Sequence, residues 1–331
     1  MEFNFIKLSS LLRSKNMQLK NYLYSFSYAN TESDLCKLES RSIFNKEEKN
    51  KLLFSDIKAE PSLSAFIKSR LDIISFSEDY STLIKKIKKE SICIEGFKVE
   101  YLVFDRDTTE YPERLKKLKD IGFSIEGTPD YYNPTITYAL CYYEDIWCFG
   151  VLIKDSFAWH KHKQKPYSYS NSISISVAKA LVNIAAKANK EKKLLDVCCG
   201  VGTIMLEACF AGNNIEGCDI NEKVCKNARE NLSHFNYTAT IYHSDIKDIS
   251  KRYEAAIIDL PYNLFSSATE NDILNIIEST AEITDRLVIV SASDIRNLIS
   301  NAGFRISDYC SVSKSGKRYF ARKIWVCEKI R

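Results

Sequence analysis

The chain has 331 residues, of which 45% are hydrophobic and 27% charged, with a formal net charge of +4. This balance excludes a disordered or fibrous protein, and no apolar run approaches the roughly 18 residues that a membrane-spanning helix requires. The mild positive charge permits a nucleic-acid partner without specifying one, because only clustered Lys and Arg make a phosphate footprint.

The length allows two domains, each with its own core. Residues 1–16 carry Glu2 and lack both a continuous apolar segment and a small-residue cleavage site, so they read as an N-terminal extension rather than a signal peptide. From residue 17 onward, NYLYSFSY, FKVEYLVF and TITYALCYYEDIWCFGVLI read as strands, the last as a hairpin turning at Glu144-Asp145. STLIKKIKKE at 81–90 puts Leu83, Ile84 and Ile87 at helical spacing, with Lys85, Lys86, Lys88 and Lys89 as a solvated face. A small α+β domain over 17–160 is expected.

The polar, basic run DSFAWHKHKQKPYSYSNS at 155–172 marks the boundary, and the second domain is placed at 161–331. There a helix capped near Ser172 is followed by KLLDVC, IEGC, ATIYH, EAAIID and RLVIVSA, continuous apolar strands of the kind buried on both faces of a parallel sheet. ISDYCSV and YFARKIWVCE, joined by KSGK, read as a hairpin closing one edge. The expected class is α/β, a three-layer sandwich.

The stretch DVCCGVGT, from Asp196 to Thr203, delivers a strand into a turn with Gly200 and Gly202 and then into a helix. Glycines allow positive φ and close approach of a ligand to the main chain, and the helix start adds unpaired N–H groups. Asp219 ends the next strand, 23 residues after Asp196, where a carboxylate would bond ribose hydroxyls. The dinucleotide pattern GxGxxG fails and no P-loop occurs, which leaves the turn used for an adenosyl group without a pyrophosphate. Asp245, ending the third strand, is placed to accept from an adenine amino group. An isolated aspartate at such a strand end would be an ordinary turn or helix-cap residue; three at successive strand ends read as a binding set.

Eleven cysteines are scattered singly apart from Cys198 and Cys199, with no CxxC pair or cluster of metal spacing. Reduced thiols in a cytoplasm are expected, no metal is expected, and the vicinal pair reads as compact packing under the turn.

Asp259-Leu260-Pro261-Tyr262 follows the fourth strand. A carboxylate at Asp259 and the carbonyl of Pro261 would hold the hydrogens of an exocyclic amine and leave its nitrogen lone pair free, while Tyr262 offers a flat face for an extruded base.

Taken together, these motifs resemble the class I S-adenosylmethionine-dependent methyltransferases that methylate amines, and more closely the THUMP-containing RNA methyltransferases that modify guanine N2 in tRNA. LLDVCCGVGTIMLEACFAG is similar to the D-P-x-C-G-x-G-T block of that family, CDINEKVCKNARENL and HSDIKDI to its second and third acidic blocks, and IIDLPYN to its DPPYG. The preceding KPYSYSNSISISVAKALVNIA resembles the helix carried ahead of the glycine turn, so the likeness covers 165–293. It implies a Rossmann-like, mostly parallel seven-stranded sheet preceded by a divergent THUMP-like RNA-binding domain. It also implies S-adenosylmethionine as cofactor and RNA, tRNA above all, as partner. Val197 and Leu260 stand where the family has prolines, and Asn263 where it has glycine. Asp259, an acceptor only, suits the donor edge of guanine. An adenine-N6 methyltransferase on rRNA or DNA, and a catalytically silent RNA-binding protein, stay open as alternatives.

His160 and His162 in WHKHKQK read as part of a solvated, basic linker, and His234 and His243 as ordinary surface or packing residues. Lys314, Lys317, Arg318, Arg322 and Lys323 read as a basic hairpin that is either solvated or in contact with RNA.

Overall fold

A computed structural model describes residues 21–105, 107–169, 172–260, 269–313 and 321–330. In chain order the first half supplies β1 (Asn21–Phe26), α1 (Ser33–Phe44), β2 (Leu52–Ser55), β3 (Ile67–Ser77), α2 (Tyr80–Lys89), β4 (Phe97–Leu102), α3 (Tyr111–Gly122), β5 (Ile136–Tyr143) and β6 (Ile146–Lys154). After a 3-10 helix at Ala158–Gln164 come α4 (Ile175–Ala186), β7 (Lys193–Val197), α5 (Thr203–Ala211), β8 (Asn214–Asp219), α6 (Glu222–His234) and β9 (Ile241–His243). β10 (Ala255–Asp259), α7 (Glu270–Ile283), β11 (Arg286–Ser291), α8 (Arg296–Asn301), β12 (Phe304–Ser313) and β13 (Ala321–Lys329) complete it.

The chain divides into two compact units, each drawing on more than one stretch of sequence. The first takes the described residues up to Phe26, Lys49–Pro61 and Ile67–Asp155; the second takes Ser27–Glu48, Ser62–Phe66 and those from Ser156 onward. The composition change at 155–172 carries no sign that α1 belongs with the later residues.

The first unit is a six-stranded sheet in the order β2-β1-β3-β6-β5-β4, antiparallel except for β4 beside β5. Its hairpin turns as the sequence predicts: Glu144 and Asp145 have φ of 46° and 64°, and Tyr143 faces Ile146. Two successive left-handed residues match the twist of paired strands. α2 also forms as predicted, with Asp79 accepting from the Thr82 amide, Leu83 and Ile87 fully buried, and the four lysines exposed.

The second unit is a seven-stranded sheet in the order β12-β13-β11-β10-β7-β8-β9, in which β7 to β11 are parallel and β13 is antiparallel to its neighbours. Leu195, Val197, Ala256, Ile258, Leu287 and Ile289 form one core with Ile277, Ala281 and Ile299 of α7 and α8. The alternate residues of the same strands are buried too. A strand covered on both faces has no place for polar alternation, which is why β7, β10 and β11 read as unbroken apolar runs. The helix ahead of β7 starts at Ile175, capped by Ser174 rather than Ser172, with Ser174 Oγ accepting from the Val177 amide at 3.3 Å.

α1 is secured to this unit by Glu39, which is 1% exposed. Its carboxylate accepts from Ser64 Oγ at 2.6 Å and from Asn183 Nδ2 at 2.7 Å. Burial pushes its pKa up from 4.5 to about 6, against the pull of Ser64, Asn183 and Lys179. Because the folded-state value is the higher one, the folded chain holds this proton more tightly than the unfolded chain. The contribution is therefore fully present below 4.5 and is lost as pH rises through about 6, a change of about 2 kcal/mol. Glu39→Gln removes this dependence: its stability relative to wild type, measured by urea unfolding, is expected to improve by about 1–2 kcal/mol between pH 4.5 and 7.5.

Candidate active site

The site is built at the carboxyl ends of β7, β8, β9 and β10, where an open parallel sheet places its ligand-binding crevice. β7 ends one residue after Asp196, which is 1% exposed and whose two carboxylate oxygens have no hydrogen-bond partner among the described residues. Burial pushes the Asp196 carboxyl well above the usual carboxylate range, and the charges of Asp259 and Asp219 push it the same way. Asp196 is thus within electrostatic reach of both Asp219 and Asp259.

The turn after β7 is made by three left-handed residues in five: Cys198, Gly200 and Gly202, with φ of 59°, 53° and 76°. It is tied down by Cys199 N–H to the Cys218 carbonyl at 3.0 Å, Gly202 N–H to the Cys199 carbonyl at 2.9 Å and Gly200 N–H to Asp219 Oδ2 at 3.0 Å. The two glycines do different work. A Cβ on Gly200 would meet nothing nearer than 4.0 Å, so this side of the turn is open to a ligand. A Cβ on Gly202 would lie 3.2 Å from Cβ of Ala228, so its bareness lets α6 pack against the turn.

Asp219 ends β8. Besides Gly200 it accepts from the Asn221 N–H through Oδ1 at 2.9 Å, and Asn221 in turn caps α6 by accepting from the Val224 N–H. Asp245 follows β9 and caps a 3-10 turn, accepting from the Lys247 N–H at 3.2 Å, with Lys247 Nζ 3.6 Å from its other oxygen. Both aspartates thus have an ordinary local role, Asp219 in the turn to Asn221 and Asp245 as a cap, yet both also line a cavity of about 780 Å³. Asp259, half-buried, is the last residue of β10. Pro261 and Tyr262 lie outside the described residues, as do residues 1–16, Lys314, Lys317 and Arg318.

The cavity also takes in residues the motifs did not single out. Ile220 and Ile246 line it beside the two aspartates, as does Ser244, whose buried Oγ has no partner among the described residues. Its far wall is α7, through Asp272, Asn275, Ile276 and Ser279. One signal was in the sequence: Asp-Ile occurs at the ends of two successive strands, a carboxylate followed by an aliphatic side chain each time. The α7 face, spaced i, i+3, i+4, i+7, reads in sequence as an ordinary amphipathic helix.

Cys198 and Cys199 pack as expected. All eleven cysteines are free thiols, and burial, the dominant cause, raises the pKa of both thiols well above the ordinary value. Cys198 packs against the core that contains Val197 and Cys218. Such thiols lack thiolate character at neutral pH.

His162 departs from the expectation of a solvated linker. It is fully buried, with Nδ1 2.7 Å from Glu207 Oε1 and Nε2 3.1 Å from the Tyr237 hydroxyl, and its ring lies edge-on to Phe210 and Phe235. Its partners are 45 and 75 residues away, so only the folded chain supplies them. His234 and His243 are exposed, as expected of ordinary surface residues.

A seven-stranded, mostly parallel sheet with a glycine turn after β7 and acids closing successive strands is the arrangement of a class I methyltransferase domain. Residues 162–288 match the family model described as UPF0020: RMKL-like, methyltransferase domain. Among curated proteins, the chain is 30% identical over 92 residues to the tRNA (guanine(10)-N2)-dimethyltransferase of Methanothermobacter thermautotrophicus, a match spanning 27% of this chain and 27% of that protein. Among solved structures, it is similar to TrmN from Thermus thermophilus (TM-score 0.46, 14% identity, 94% of this chain and 100% of that one). It is also similar to magnesium protoporphyrin IX methyltransferase from Synechocystis PCC 6803 with bound SAM (TM-score 0.41, 20% identity, 52% and 92%). Among the described residues no helix is long and apolar enough to cross a membrane.

Proposed function

We propose that this protein is an S-adenosylmethionine-dependent methyltransferase acting on an exocyclic amine of an RNA base, with guanine N2 in tRNA as the target. The observation that carries the reading is the set of Asp196, Asp219 and Asp259 around an open glycine turn. Three neighbouring carboxyls, one of them buried without a hydrogen-bond partner among the described residues, suit a ligand bearing positive charge. S-adenosylmethionine fits that demand through its ammonium and sulfonium groups, and its ribose and adenine suit a groove lined by Asp219, Ile220, Asp245 and Ile246. The match to the methyltransferase family model supports the same reading.

When bound, the cofactor supplies an electrophilic sulfonium methyl. Gly200 leaves the space beside the turn clear, Asp219 and Asp245 would offer acceptors for the ribose and adenine, and the Asp196 carboxyl, without a hydrogen-bond partner among the described residues, would answer the positive charge. On the acceptor side, Asp259 and the Pro261 carbonyl hold the hydrogens of the amine while Tyr262 stacks the base. The sulfonium would supply the methyl group to the amine lone pair, which the acceptors at Asp259 and the Pro261 carbonyl leave free. Catalysis on this scheme comes mainly from orientation. The first unit, as a THUMP-like module, would present structured RNA.

The test is incubation of the protein with methyl-labelled S-adenosylmethionine and total tRNA, followed by nucleoside mass spectrometry. N2-methylguanosine is the expected product. N6-methyladenosine in its place would overturn the assigned base, and failure to label any RNA would overturn the proposed activity.

A further inference from the structure

The run 157–169, read in sequence as a connector, is fastened in the second unit by polar groups at two points. At the first, buried His162 bonds Glu207 of α5, and Lys179 of α4 lies 3.5 Å from the other Glu207 oxygen. At the second, Asn231 of α6, fully buried, accepts from the Tyr167 N–H through Oδ1 at 2.9 Å and donates to the Tyr167 carbonyl at 2.9 Å. Its side chain thus engages residue 167 as a neighbouring strand would.

The other donation from Asn231 Nδ2 goes to the carbonyl of Val201, also at 2.9 Å. Val201 lies between Gly200 and Gly202, so this bond holds the Val201–Gly202 peptide, one of the two that link the left-handed glycines. Asp219 holds the same turn through the Gly200 N–H. A primary amide has two donor hydrogens, and here they serve two carbonyls that are far apart in sequence. A buried carbonyl deprived of such a donor would favour turning its peptide elsewhere, and a glycine-rich turn offers little resistance to that rotation.

We propose that Asn231 is a positioning residue for the glycine turn, coupling the strap at 165–169 to the shape of the cofactor cleft. The consequence for cofactor rests on the methyltransferase reading; the coupling itself does not. Turn and strap share one side chain, so they loosen together. Asn227, one helical turn earlier, donates to the Tyr169 hydroxyl and, among the described residues, has no bond to Val201, which makes it the matched control.

The experiment compares wild type, Asn231→Asp and Asn227→Ala by hydrogen exchange and by steady-state kinetics. Asn231→Asp keeps the acceptor for the Tyr167 N–H but sets an oxygen against two carbonyl oxygens. It is expected to speed exchange at 199–206 about tenfold, with β10 and β11 unchanged, and to raise KM for S-adenosylmethionine about tenfold with kcat within about threefold. Asn227→Ala is expected to do neither. Unchanged exchange at 199–206 in Asn231→Asp, or equal loosening of the turn in Asn227→Ala, would overturn the proposal. A wild-type chain that binds no S-adenosylmethionine would sink the cofactor reading while the exchange comparison still tests the coupling. Should Asn231→Asp fail to fold, native-state exchange of wild type in rising urea decides. The Tyr167 amide and the 199–206 amides must open with one shared dependence, and separate openings overturn the coupling.

Discussion

Asp259→Ala is expected to lower kcat for methyl transfer to RNA by about 10²–10⁴-fold while leaving cofactor affinity within about threefold. The reason is geometric. A carboxylate at the end of β10 is the side chain proposed to hold the hydrogens of the reacting amine. Alanine leaves that amine free to rotate, and its lone pair then points at the methyl only a small fraction of the time. Asp259→Asn is expected to fall between the two, because an amide oxygen still accepts but the NH₂ group opposes a donor edge. Single-turnover methylation with pre-bound cofactor, paired with calorimetric titration, separates the two quantities. If Asp259→Ala turned over at the parental rate, the role assigned to this residue would be wrong. A second effect follows from the electrostatics. Asp259 is one of the charges raising the pKa of the Asp196 carboxyl, so its removal makes Asp196 easier to ionise.

Asp219→Ala is expected to weaken S-adenosylmethionine binding by about 10²-fold and to lower unfolding stability by about 2–4 kcal/mol. Two backbone N–H groups depend on this carboxylate, those of Gly200 and Asn221, and the second begins the capped first turn of α6. Both are charge-assisted hydrogen bonds. Their loss loosens the turn that faces the ligand as well as removing the acceptors proposed for the ribose. Asp219→Asn separates the roles in part, since one oxygen remains and the new NH₂ group opposes a backbone donor. Isothermal titration and urea unfolding measure the two effects. Parental affinity in Asp219→Ala would show that the cleft at the end of β8 is not where the cofactor binds.

Much of the second unit was readable from local pattern. Continuous apolar runs announced β7, β10 and β11, because strands covered on both faces have no polar side to show. The glycines and aspartates announced the proposed site, because a tight strand-to-helix turn and acids at strand ends leave a spacing that survives in one dimension. The first unit was readable where a turn or a helical stripe carried its own signature, as at Glu144-Asp145 and along α2. β3 and α3 were not anticipated: IKSRLDIISFS alternates too poorly, with Arg70 and Asp72 pairing inside it, and YPERLKKLKDIG buries only Lys117 and Ile121.

The chain by itself thus determined the class of fold and pointed to the proposed constellation of Gly200, Gly202, Asp196, Asp219 and Asp245, since each rests on residues near in sequence or spaced by a regular element. Only the tertiary structure decided what depends on distant partners. It separated Gly200, open to a ligand, from Gly202, closed against Ala228. It joined α1 to the later residues through Glu39 and Asn183, 144 positions apart. It buried His162, which sequence alone left in solvent, because the cost of burying an imidazole is offset only by Glu207 and Tyr237 arriving from elsewhere. Polar groups reveal their burial through partners, and partners are a property of the folded chain.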